Sequence, residues 1–184
     1  MLGRRRMLRQ ALRGAGNAPA QQKLHEAQRL MAEGQFVEAA AMFDELGQQA
    51  VQHGMIRPAI NLALQAGRAC AQAGRGDDAL AHARRALDLI LNAGQPARAT
   101  RAIPRAAAFL RAQGFTAQAA ALEKEAAQRL ALLGLSLQAL PNVGTRSLPS
   151  TCPQCAGPLR SDDADWIDAV SAECPWCGST VKTV

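Results

Sequence analysis

Four of the chain's five cysteines stand in two pairs, Cys152-Pro153-Gln154-Cys155 and Cys174-Pro175-Trp176-Cys177, with eighteen residues between the pairs. Thiolate sulfur is a soft, strong metal donor. Two residues between cysteines let both sulfurs reach one ion about 2.3 Å away on a tight turn. Proline after the first cysteine favours that turn. Gly178 follows the second pair and tolerates an unusual backbone angle, whereas the first pair departs slightly, with Ala156 standing before Gly157. Four thiolates saturate a tetrahedral ion and leave no position for water. The spacing therefore predicts one structural zinc ion on Cys152, Cys155, Cys174 and Cys177, and no catalysis at the metal. Two disulfides, idle thiols or an iron in the same ligand set are the alternatives. A secreted disulfide scaffold would be smaller and denser in cysteine, and a redox iron site would carry more aromatic packing.

The residues around the pairs are few for an independent core. Leu159, Trp166, Ile167, Val170 and Val181 are expected to form a short hairpin around the ion. Metal binding would supply most of the stability of so small a module, on the order of 10 kcal/mol or more. Asp162, Asp163, Asp165 and Asp168 make one edge acidic, which argues against a grip on phosphate backbones. The two knuckles and their separation resemble a zinc ribbon. Trp166-Ile167, followed after six residues by Cys174-Pro175-Trp176-Cys177, is also similar to the end of a RING finger, the ubiquitin-ligase module. That resemblance implies a shallow surface for a ubiquitin-conjugating enzyme, with Gln154, Trp166, Pro175 and Trp176 as its contacts. A full RING has eight ligands and two zinc ions, so an ordinary ribbon with a packed tryptophan stands beside a one-zinc half-RING.

The elements that must carry this module lie upstream and repeat. Gly34, Gly74 and Gly114 are forty residues apart; so are Gly54, Gly94 and Gly134, and so are Ala39, Ala79 and Ala119. A period of this length marks a stacked array. Each unit reads as two helices, the first of each pair over 20–33, 57–73 and 96–113 and the second over 37–53, 77–93 and 117–133. The second glycine of each unit falls where a left-handed cap is wanted. Pro58 and Pro96 fall near helix starts, and Pro104 is expected to kink or shorten its helix. Leu80, Ala83, Leu87, Ile90 and Leu91 share one face, as do Ala119, Leu122, Ala126, Leu130 and Leu133. Gly34, Phe36, Ala39, Phe43 and Leu46 resemble the signature positions of tetratricopeptide repeats over about residues 20–134. The later units keep the small residues and lose the aromatics, and the period is 40 rather than 34. The resemblance implies a curved array whose inner face, made by the first helix of each pair, binds a peptide or protein. In that register Gln28, Asn61, Arg68, Arg101 and Arg111 line either a mildly basic groove or ordinary solvated surface.

Composition agrees with a helical reading. Hydrophobic residues make up 48% of the chain, much of it alanine, with 3% aromatic and no tyrosine, which favours helices over large sheets. This alanine- and arginine-rich balance is what a high-GC bacterial genome produces. The net charge of +6 is concentrated at the start, where Arg4, Arg5, Arg6, Arg9 and Arg13 meet no acid. That stretch is either a tail or a short helix that touches nucleic acid, anionic lipid or an acidic protein. Cys70 reads as core, and His25, His53 and His82 as isolated surface residues. No phosphate loop, carboxylate pair or nucleophile–base set stands out, and no secretory or membrane-spanning segment is expected; the cytoplasm, where thiolates stay reduced and metallated, is the expected location.

The expected fold is mainly α, three stacked helical hairpins in a tetratricopeptide-like solenoid with a small C-terminal β-hairpin zinc ribbon. Its divisions are a basic tail at 1–19, repeats at 20–140, a linker at 141–151 and the zinc module at 152–184. The expected function is a non-catalytic adaptor whose repeats hold one protein and whose zinc module holds another. Its sharpest form is a RING-like bridge to a conjugating enzyme in a prokaryotic ubiquitin-like pathway. The alternative is a nucleic-acid-binding accessory protein that uses the arginine-rich start and the ribbon.

Overall fold

The structure is a computed structural model that describes residues 18–137, 147–159, 161, 164–174 and 176–184. The basic tail before residue 18, most of the expected linker, Asp162, Asp163 and Pro175 lie outside the described residues. Among the described residues, six helices come first: α1 Ala18–Ala32, α2 Phe36–Gln52, α3 Ile56–Gln72, α4 Gly76–Asn92, α5 Pro96–Ala112 and α6 Thr116–Ala131. All begin and end within two residues of the expected bounds. Three short strands follow, β1 Asp165–Trp166, β2 Ser171–Glu173 and β3 Thr180–Lys182.

Every one of these helices ends in the same way. Gly34, Gly54, Gly74, Gly94, Gly114 and Gly134 all take positive φ, between 67° and 89°. At the first of these the Gly34 N–H donates to Met31 O and the Gln35 N–H to Leu30 O, the paired bonds of a Schellman cap. The same pair of bonds recurs at each later glycine. The residue after each of the first five glycines is already the N-cap of the next helix, and its carbonyl receives the first intrahelical bond. The underlying period is thus twenty residues, one helix and one turn, and the forty-residue repeat is two of these.

The core follows that period. Ala39, Ala59, Ala79, Ala99 and Ala119 are all fully or almost fully buried, and so are Leu30, Ala50, Cys70, Ile90, Leu110 and Leu130. Cys70 occupies a position that is apolar in every other helix, which accounts for a lone buried thiol without chemistry. Small residues let neighbours approach: a Cβ on Gly67 would lie 3.2 Å from Ala79 O. Each helix packs on the next, and α3 also touches α5 while α4 touches α6. The odd-numbered helices therefore form one layer and the even-numbered helices the other. The even layer is laced by polar pairs at a separation of forty-one residues: Arg85–Asp44, Arg84–Glu125, Arg129–Asp88 and Gln118–Asp77. Pro104 sits inside α5 without shortening it, since α5 spans 17 residues like α2, α3 and α4.

In the C-terminal module the expected hairpin is extended by a third strand. β2 pairs antiparallel with β1, Trp166 opposite Ala172, and also with β3, Ala172 opposite Val181. Asp168 holds the β1–β2 turn by accepting from Val170 N and Ser171 Oγ. The hydroxyl of Ser171 beside it, followed by the Val170 N–H, holds its carboxyl below the usual range. Leu148, Leu159, Ala164, Trp166, Ala172 and Val181 form a small core, and the Trp166 indole donates to Ser161 O at 2.8 Å.

Candidate metal centre

The four paired cysteines come together at one end of this module, their sulfurs all within 4.8 Å of one another. Cys152 Sγ lies 3.8 Å from Cys177 Sγ, and Cys155 Sγ lies 3.8 Å from Cys174 Sγ. A disulfide would need about 2.05 Å. Sulfurs placed tetrahedrally about 2.3 Å from a common centre are separated by about 3.8 Å, so the arrangement fits one four-coordinate ion.

Two turns of the same design set it. The Ala156 N–H donates to Cys152 O and the Gly178 N–H to Cys174 O; the Cys152 N–H donates to Gly157 O and the Cys174 N–H to Ser179 O. The Gln154 N–H points at Cys152 Sγ and the Trp176 N–H at Cys174 Sγ, each at 3.4 Å. Ser179 Oγ, 3.0 Å from Cys177 Sγ and 3.3 Å from Cys152 Sγ, adds a hydroxyl donor. Ala156 itself takes the left-handed angle, φ 55°, that Gly178 takes at 74° in the second turn. Gly157 is needed for another reason. A Cβ there would lie 2.6 Å from both Gln28 Nε2 and Trp176 Cδ1.

The sulfurs are electrostatically interdependent. Hydrogen bonds from Cys155 and then Cys174 pull the Cys177 thiol down to about 2, while Cys174 is pushed up, first by its bond with Cys155 and then by that with Cys177. Crowded sulfurs cannot all ionise together without a cation among them. A divalent ion removes that conflict, and it is the chemistry this donor set is suited to.

The module's polar contacts with the array come from the odd layer, while its Trp176 ring also reaches Phe43 of α2. His25 of α1 donates through Nε2 to Cys155 O at 2.8 Å. Asn61 of α3 donates to Cys174 O at 3.1 Å. Arg98 of α5 donates to Asn61 Oδ1 at 2.7 Å and pairs with Glu173 at 2.8 Å, with both charged side chains about nine-tenths buried. The Trp176 ring stands 5.8 Å from that of Phe43 and its indole donates to Pro158 O.

The residues expected to meet partners are distributed differently. Gln154 is exposed, and Trp166 is buried inside the module. Trp176 is turned toward the array, and Pro175 lies outside the described residues. Of the expected groove residues, Asn61 contacts the module and Gln28 lies beside Gly157. Arg68 stacks 4.6 Å from the centre of the Phe109 ring, Arg111 pairs with Glu123 of α6, and Arg101 is half-buried on α5. Sequence reasoning misses His25, Arg98 and Glu173 as a set. The signal for them is the excess of acid in the last fifty residues against the excess of base in the helices, which points inward rather than to a foreign ligand.

Comparison of the chain with protein-family models, curated proteins and solved structures finds no match. None of the described helices is long and apolar enough to cross a membrane.

Proposed function

We propose that this is a non-catalytic zinc protein, an adaptor in which a tetratricopeptide-like helical array and a four-cysteine zinc module are locked together as one recognition body. The observation that carries it is the thiol cluster itself, four sulfurs within 4.8 Å of one another and two pairs of them at 3.8 Å, within a module seated on a repeat array. Cys152, Cys155, Cys174 and Cys177 would hold the ion, which would fix the two turns and with them the sheet. A saturated thiolate shell supplies shape rather than reactivity.

The module's inward side is engaged with the array, so its outer rim is what remains for a partner. Among the described residues, Ile167, Val170 and Val184 are the large apolar side chains that the module exposes. A conjugating-enzyme bridge would call for Trp166 and Trp176 on an open face, and their placement lends it no support. The nucleic-acid alternative rests on the ribbon, whose edge is acidic, and on arginines that lie outside the described residues.

Two measurements test the proposal. Native mass spectrometry of the chain should find one zinc, absent from Cys174→Ser; a metal-free wild-type chain would sink the zinc assignment. Affinity capture with nuclease present should then retain a protein partner that is lost in Ile167→Asp/Val170→Asp while zinc stays bound. Capture that disappears with nuclease alone would overturn the adaptor in favour of nucleic-acid binding.

A further inference from the structure

The contacts between array and module fall on an unusual target. His25 and Asn61, from two different helices, take the main-chain carbonyls of Cys155 and Cys174, one in each metal-binding turn. Both carbonyls belong to the hydrogen-bonded turns that carry the cysteines. The Cys174 carbonyl also accepts the Gly178 N–H that closes its own turn. Glu173, adjacent in sequence to a ligand, is the counter-charge of a buried arginine. Trp176, between two ligands, packs on Phe43, and Gly157 beside the first turn leaves room for Gln28. Each of these grips on the module thus lies within two residues of a cysteine of the cluster.

We infer that the odd-numbered face of the array is a binding surface for the metal-loaded form of the chain's own module, so that loading the four cysteines and closing this face are one coupled event. The inference rests on the zinc reading above and concerns its regulation. A site of this kind does not exist as a formed structure before its ion binds. When the ion leaves, the turns relax, both carbonyls are lost together, and Arg98 and Glu173 are separated. His25, Gln28, Asn61 and Arg98 are then uncovered. Coupling of this sort is reciprocal: whatever factor the metal contributes to docking, docking contributes to metal affinity.

Asn61→Ala and Arg98→Ala alter the array, far in sequence from any ligand. Together they should weaken zinc binding by about 10- to 100-fold, the range expected when groups supporting a metal shell are removed. The readout is competition against a chromophoric chelator, with helical content checked by circular dichroism. His25→Ala, on a different helix, should weaken it independently. In the wild-type chain, chelation should speed amide exchange on the module-facing turns of α1, α3 and α5 and leave α2, α4 and α6 slow. Cobalt(II) separates the two ideas. A chain that gives no four-thiolate cobalt spectrum defeats the zinc reading. A four-thiolate spectrum with wild-type zinc affinity in both Asn61→Ala/Arg98→Ala and His25→Ala defeats the coupling alone.

Discussion

Ala156 holds a left-handed backbone that its counterpart in the second turn assigns to glycine, and its side chain is exposed. A side chain in that region costs roughly 1–2 kcal/mol, partly offset by the greater entropy that glycine loses on folding. Ala156→Gly should therefore stabilise the loaded module by up to about 1 kcal/mol, measured by denaturation at saturating zinc. Gly157→Ala should do the opposite, since its Cβ has no room. In the sequence, alanine followed by glycine reads as a minor irregularity. The glycine is explained by Gln28 and Trp176, which no local rule places beside it. The four-cysteine cluster itself is legible from spacing alone, because the two-residue gap is a local geometric requirement.

Helices are legible for the same reason. Each is specified by nearby residues: alanine inside, a glycine at the left-handed cap, and one residue shared with the next helix. Nothing lies within 4 Å of a Cβ added at Gly74, so the cost of Gly74→Ala is conformational, about 1–2 kcal/mol. Thermal melting should show that loss. Between elements, His82 of α4 faces Asp44 of α2, with Arg85, Asp78 and Arg75 nearby. Burial keeps its imidazole below the ordinary value of 6.5, opposed by Asp44 and helped by Arg85. The unfolded chain then takes up its proton first as pH falls. Stability should decline from about pH 6.5 downward and level off below the folded value. His82→Asn should lack this component, so the difference between the two denaturation curves at about pH 7.5 and about pH 5 isolates it from acid loss of metal.

At the scale of the whole molecule, what the sequence does not disclose is the partner of the inner face. A mildly basic groove for an acidic segment suggests a second protein, yet the acidic residue that meets Arg98 is Glu173 of the same chain. Long-range pairing of this kind leaves no periodic trace. Only the opposite charge excess of the two parts hints at it. Removing one member of a buried ion pair costs about 3–5 kcal/mol when the other stays buried. For Glu173→Ala the cost has a ceiling, because the module can lift away and let Arg98 hydrate. Chemical denaturation should show a loss no larger than the docking free energy, and Glu173→Ala/Arg98→Ala should lose less than the sum of the two single changes.

The bond from His25 to Cys155 spans 130 positions, whereas consecutive helices join residues that are close in sequence. Local contacts form early and distant ones late. During synthesis the array can assemble hairpin by hairpin as it emerges, but its odd-numbered face has no cover until Cys174 and Cys177 have been made. On the zinc reading proposed above, metal capture follows assembly of the array, and a nascent chain halted before the second pair would display a complete but uncovered scaffold.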